Sequence, residues 1–132
     1  MTVSEAKQTQ RKAGRDARKA LGPEERKAAN AALCAFLWQL AAVQNAQTIL
    51  LAYGGGSIKR NGVYDEITGI LKGAGKTIVE FSGIMSNPTY DKVQEGARLA
   101  RDNQADMILA VGGGSTMDCC KAVSLAARYD GD

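Results

Sequence analysis

The tetrapeptide Gly-Gly-Gly-Ser occurs twice, at Gly54–Ser57 and at Gly112–Ser115, and each copy directly follows a short, nearly uninterrupted apolar run. The runs are Ile49-Leu50-Leu51-Ala52-Tyr53 and Met107-Ile108-Leu109-Ala110-Val111, and a third, Thr77-Ile78-Val79-Glu80-Phe81, lies between them. Each has the length of a strand and the near-continuous hydrophobicity that a strand covered on both faces requires. Segments of helical length separate or follow them: Val63 to Leu71, Tyr90 to Gln104 and Thr116 to Arg128. This β, α, β, α, β, α alternation predicts an α/β fold with a small three-stranded parallel sheet, right-handed crossovers and flanking helices. So few strands leave an exposed sheet edge, where a homo-oligomer can form.

Upstream of the first run the pattern changes. Ser4 to Leu21 is rich in Ala, Lys, Arg and Gln, all good helix formers, and Gly22-Pro23 interrupts it. Pro23 can start a second helix with Glu24 and Glu25 in its first turn, so an amino-terminal helical pair is expected. Leu33, Phe36, Leu37 and Leu40 recur there at helical spacing, and the stripe is expected to face the core. Residues 1 to 30 hold eight Lys/Arg against four acids, while the remainder holds nine against ten, so the net charge of +3 is concentrated at the start. An aromatic-free basic helix of this kind reads as a solvated face in preference to a nucleic-acid surface.

Cys34, Cys119 and Cys120 are odd in number and lack metal-type spacing, which fits a reducing compartment. The first thirty residues have no signal-peptide core, and no apolar stretch of about 18 residues exists, so the expectation is a cytoplasmic chain with no membrane partner. There is no histidine, which removes the commonest neutral-pH acid/base group and transition-metal ligand. Cys119 and Cys120 do not replace it: adjacent helical residues point about 100° apart, and buried helix cysteines are the expected reading.

In an open, Rossmann-like sheet, ligands bind at the carboxyl ends of the strands. Consecutive glycines there permit positive φ and close backbone approach, and a helix beginning just beyond them offers free N–H groups and its positive dipole end to a phosphate. Neither loop matches GxxxxGK[ST] or GxGxxG. The first loop offers Ser57, Lys59 and Arg60 and no acid, which favours NADP, with NAD as the alternative, because a carboxylate on the ribose would repel a 2′-phosphate. Glu80, near where an ordinary Rossmann acid would lie, is read as an exposed strand terminus.

Three segments in order, GGGSIKRNGVY from Gly54 to Tyr64, Phe81 to Pro88 with its Asn-Pro step, and AVGGGSTMDCCKA from Ala110 to Ala122, resemble the amino-terminal domain of iron-type, or group III, alcohol dehydrogenases. The branch resembled is that of NADP-dependent butanol and aldehyde reductases, and the similarity runs from about Ile49 to Asp132. The resemblance implies a cofactor-binding set: Gly113, Gly114 and Ser115 on the pyrophosphate with Asp118 nearby, and Gly55, Gly56 and Ser57 at the adenosine ribose with Lys59 as a helper. It also implies hydride transfer at a divalent metal held by one aspartate and three histidines of a later helical domain. The present chain ends at Asp132 without histidine, so it is expected to be unable to bind that metal and to be catalytically incomplete.

Residues 1 to 45 differ. Lys7, Arg11, Arg15, Arg18, Leu21 and Pro23-Glu24-Glu25-Arg26 resemble the opening helices of 5-formyltetrahydrofolate cyclo-ligase, which implies ATP-phosphate contacts at Lys7 and Arg11. The expected organisation is therefore a basic helical segment, 1–45, and a dinucleotide-binding α/β domain, 46–132, with a seam between Val43 and Leu51. The leading functional expectation is the NAD(P)-binding domain. The alternatives are a chimera or truncated product without ligand function, and an ATP-binding cyclo-ligase remnant.

Overall fold

A computed structural model describes residues 1–129, so the last three residues of the expected 46–132 unit lie outside the described residues. The elements run α1 (Val3–Ala20), α2 (Pro23–Gln39), α3 (Ala41–Asn45), β1 (Thr48–Tyr53), α4 (Ser57–Arg60), α5 (Val63–Gly73), β2 (Thr77–Phe81), α6 (Tyr90–Asp102), β3 (Met107–Val111) and α7 (Gly114–Ala126). The three strands form one sheet in the order β2-β1-β3. Both pairings are parallel, with Leu51 opposite Glu80 on one side and Leu109 on the other. The fold expected from the apolar runs is thus present. The short helices α3 and α4 add to it; the latter is a single turn inside the first glycine loop.

β1 is the centre of the packing. Ile49, Leu50, Leu51 and Ala52 are fully buried, and at roughly 1.5–3 kcal/mol for burial of each larger aliphatic they form the main apolar contribution of the sheet. Alternation along the strand sends Ile49, Leu51 and Tyr53 to one face, where they pack with Ile67 and Leu71 of α5, Cys34 of α2 and Val43 of α3. Leu50 and Ala52 point to the other face, against Phe81, Ala100 of α6, and Cys119, Cys120 and Val123 of α7. On that face Gly96 permits close approach, since a Cβ there would lie 2.7 Å from both the Phe81 ring and the Val123 side chain.

The expected core stripe on α2 is corrected by the structure. Leu33 is 60% exposed, Phe36 62% and Leu40 42%, and of the stripe only Leu37 turns inward, beside Cys34 and Trp38. The apolar residues of α2 occupy two helical phases, and the contact with α5 selects the one containing Cys34, Leu37 and Trp38. Leu33 and Phe36 each sit one residue, about 100°, away from that face. The Asn30 side-chain amide fixes this rotation by donating to the Asn61 carbonyl at 2.8 Å. Helix α1 is capped by a reciprocal Thr2–Glu5 box but buries no residue. Its end is held by the Arg26 guanidinium, which donates to the carbonyls of Arg18 and Lys19 at 3.4 and 3.5 Å.

At the amino ends of the strands, the Asp106 carboxylate accepts the backbone N–H groups of Gln47 and Thr48 at 2.9 and 3.0 Å, joining the start of β3 to the start of β1. The Gln47 bond is the main cause holding its carboxyl below the ordinary aspartate value. A carboxyl lowered by folding stabilises above its unfolded pKa of about 3.9 and loses that contribution as pH falls through the lower folded value. Asp106→Ala is therefore expected to lower urea-unfolding stability at pH 7 by about 1 kcal/mol, a figure reduced for its exposure. The difference from the parent should shrink as pH falls below the unfolded aspartate value of about 3.9 and go on shrinking through the lower folded value, and a difference unchanged between pH 7 and pH 3 would refute the assignment.

Candidate functional site

The two Gly-Gly-Gly-Ser loops meet at the carboxyl ends of adjacent strands. After β1 the chain crosses to the face that holds α5, and after β3 it enters α7 on the opposite face. Neighbouring strands whose continuations part in this way create a topological switch point, the place where open α/β sheets bind their ligands.

Within the loops the glycines divide by what they touch. A Cβ on Gly112 would lie 2.6 Å from Thr116 Oγ1, and one on Gly54 would lie 3.1 Å from the Ile84 carbonyl oxygen, so the fold itself requires a small residue at both. The loop at Gly54 is further fixed by the Gly83 N–H, which donates to the Gly54 carbonyl at 2.8 Å. At Gly55, Gly113 and Gly114 a Cβ would meet no protein atom within 4 Å. The positive φ that glycine permits is not used in these loops: among the described residues the glycines with left-handed φ are Gly62, Gly75 and Gly83. Bare backbone facing open space, and not turn geometry, distinguishes Gly55, Gly113 and Gly114.

Helix α7 begins at Gly114, two residues earlier than expected, with Gly113 as its cap and no side chain satisfying its first turn. The N–H groups of that turn therefore lack intrahelical acceptors, and no acidic side chain opposes an anion there. Ser115 sits in this turn, and Ser57 opens α4 beside Gly55 and Gly56. Asp118 is exposed one turn further along α7, its carboxylate 3.7 Å from Lys121 Nζ. Lys7 and Arg11 lie on the exposed α1, in a groove shared with Arg15 and Arg18.

Sequence reasoning missed the tyrosines beside the first loop. Tyr53, the last residue of β1, and Tyr64, in the first turn of α5, both donate their hydroxyls to Glu80 Oε1 at 2.8 Å. Their rings meet edge to face with centroids 5.9 Å apart. Lys59 Nζ lies 4.8 Å from the Tyr64 ring centroid and 5.7 Å from that of Tyr53. Glu80 is exposed, as expected for a strand terminus, but it is also held. The Tyr53 bond and then the Tyr64 bond keep its carboxyl below the usual glutamate range, and the same contact pushes Tyr64 up to about 12. Only the register of Leu51 with Glu80, which puts that carboxylate on the Tyr53 face, could have disclosed the cluster.

The three cysteines are buried, Cys119 and Cys120 among them, and burial raises their thiol pKa values. Among the described residues no group of three or more His, Cys, Asp or Glu could hold a metal ion. No described helix is long and apolar enough to cross a membrane.

The family model of iron-containing alcohol dehydrogenases matches residues 30–132. The chain belongs to that family. The match begins inside α2, upstream of the expected division between residues 45 and 46. NADH-dependent butanol dehydrogenase A of Clostridium acetobutylicum is 48% identical over 84 residues, which are 64% of this chain and 22% of that protein. The NADPH-dependent aldehyde reductase YqhD of Escherichia coli is 42% identical over 81 residues, 61% of this chain and 20% of the other. Among solved structures, NADH-dependent butanol dehydrogenase A of Thermotoga maritima superposes with a TM-score of 0.66 at 44% identity, covering 69% of this chain and 23% of that one. The chain thus spans about a fifth of the length of the curated relatives it matches.

The division of the glycines predicts opposite effects on stability. Gly112→Ala should lower the unfolding free energy by about 1–3 kcal/mol by forcing Thr116 aside. Gly114→Ala should leave the thermal midpoint unchanged or raise it, and a Gly114→Ala loss as large as that of Gly112→Ala would show that the fold needs both.

Proposed function

We propose that this chain is the dinucleotide-binding part of an alcohol or aldehyde oxidoreductase of the iron-containing alcohol dehydrogenase family. The observation that carries the reading is the pair of loops at the switch point, with bare backbone at Gly55, Gly113 and Gly114 where the fold has no need of glycine. The pyrophosphate is assigned to Gly113, Gly114 and Ser115 at the start of α7, and the adenosine ribose to Gly55, Gly56 and Ser57 with Lys59 beside them. Asp118 borders the site on the same side of α7 as Gly114; its carboxylate suits hydroxyl or amide donors of the ligand, not its phosphates.

When bound, the dinucleotide supplies a nicotinamide that carries hydride. The chain's contribution is to bind and orient. The first-turn N–H groups of α7 meet the phosphates, and the open glycine backbone admits them to contact distance. A divalent metal does not fit the residues present, because the chain has no histidine and the described carboxylates and thiols do not converge. No catalytic step is assigned to this chain, which on this reading is incomplete as an enzyme by itself. The buried, unpaired cysteines support a reducing, cytoplasmic setting.

NADP is the proposed cofactor, because Ser57, Lys59 and Arg60 offer a hydroxyl and two cations and the first loop has no acid. NAD is the second reading, favoured by the NADH dependence in the names of the two butanol dehydrogenases and by the carboxylate of Glu80 near the end of β2. Titration calorimetry on the full chain separates them. NADP is expected to bind about tenfold more tightly, equivalent to about 1.4 kcal/mol; equal or reversed affinities would remove the NADP reading, and no binding of either would remove the dinucleotide reading.

Gly114→Val should reduce NADP affinity at least tenfold, about 1.4 kcal/mol, with an unchanged far-ultraviolet circular dichroism spectrum. Wild-type affinity in a folded Gly114→Val protein would mean that the pyrophosphate lies elsewhere. The purified chain with added iron or zinc is expected to reduce no aldehyde, and metal-dependent turnover above a contamination control would contradict its incompleteness.

A further inference from the structure

Three features beside the first glycine loop bear on how it would treat the ribose. Both tyrosine hydroxyls converge on one oxygen of Glu80, Oε1. Lys59 is not paired with that carboxylate: no Lys59–Glu80 ion pair within 4.0 Å exists among the described residues, and the ammonium rests on the tyrosine rings instead. The four side chains come from β1, α4, α5 and β2, so the cluster is set by the tertiary fold and not by a local motif. The phenols thus hold the anion by their hydroxyls while the cation rests on their rings.

We propose that Tyr53 and Tyr64 are positioning residues that tether Glu80 away from Lys59 and from the ribose, leaving the Lys59 charge available to a ribose 2′-phosphate. The inference rests on the dinucleotide reading and deepens it. With the tether intact, the loop presents a hydroxyl at Ser57 and a cation in no close ion pair with Glu80, which offsets it only at a distance. With it broken, Glu80 either pairs with Lys59, removing the cation, or turns its carboxylate toward the ribose, where it accepts a 2′-hydroxyl and repels a 2′-phosphate. Both movements favour the unphosphorylated ribose, so the sign of the effect does not depend on which occurs.

The fold constrains which variant tests this. Tyr53 is buried and its hydroxyl has little freedom, whereas Tyr64 is half-buried at a helix start, so Tyr64→Phe removes one tethering bond with the least disturbance. Affinities for NADP and NAD are measured by titration calorimetry on the full chain for the parent, Tyr64→Phe, Glu80→Gln and the double variant Tyr64→Phe/Glu80→Gln, each checked by circular dichroism. The expected result is a fall of about tenfold in the NADP-to-NAD affinity ratio for Tyr64→Phe, equivalent to about 1.4 kcal/mol. The double variant should return the ratio to the parent value or above it, because the freed group is then uncharged. Glu80→Gln alone should change the ratio by less than Tyr64→Phe does, because the parent carboxylate is already held away, and a larger change would show it untethered; Tyr53→Phe, measured in the same way, removes the other tethering bond and decides the matter if Tyr64→Phe does not fold. A purely structural tyrosine would weaken both dinucleotides alike, and an unchanged ratio in a folded Tyr64→Phe or Tyr53→Phe overturns the tether while leaving the dinucleotide reading in place. A parent that binds neither dinucleotide overturns both.

Discussion

The complete burial of β1 is the constraint from which the rest of the architecture follows. A strand paired on both edges and covered on both faces must be apolar along its whole length, and Ile49 through Ala52 meet that requirement without a polar interruption. Because β1 is central, the strands on either side of it are the two edges, and the connections to them must cross on opposite faces of the sheet. With β1 in the middle, α5 covers one face on the way to β2 and α6 the other on the way to β3, as right-handed crossovers in opposite directions require. The two glycine loops are neighbours because β1 and β3 are adjacent in the sheet.

The glycine loops show how one residue type serves two purposes at neighbouring positions. Gly54 and Gly112 make room for Ile84 and Thr116, as Gly96 makes room for Phe81 and Val123. Gly55, Gly113 and Gly114 make room for nothing in the protein. A repeated tetrapeptide cannot by itself separate these roles, and the coordinates do so by showing which β-carbons would collide.

The strands, their parallel arrangement and most helices were legible because the signal is local: apolar runs of strand length alternate with amphipathic or helix-forming stretches. The two glycine loops could be located because they follow strands directly. Three features were not legible. The phase of α2 depends on its contact with α5, so Leu33, Phe36 and Leu40, which share the expected periodicity, ended outside while Cys34 and Trp38 turned in. The tether on Glu80 joins residues 16 and 27 positions apart through a strand register that no local pattern specifies. Whether the loops use the positive φ that glycine permits was not legible either, and the backbone does without it there.

Helix α1 has a consequence for how the molecule comes apart. It buries no side chain, and its contact with the rest passes through the long bonds from Arg26 to two of its terminal carbonyls. Most of a helix's stability in a protein comes from tertiary packing of one face, and here little tertiary burial supplies it. Its amides therefore open by local fraying at a small fraction of the global unfolding free energy, while those of β1 exchange only when the whole sheet is lost. The cooperative unit starts at α2, where Asn30 ties the chain to Asn61 and Cys34 enters the core.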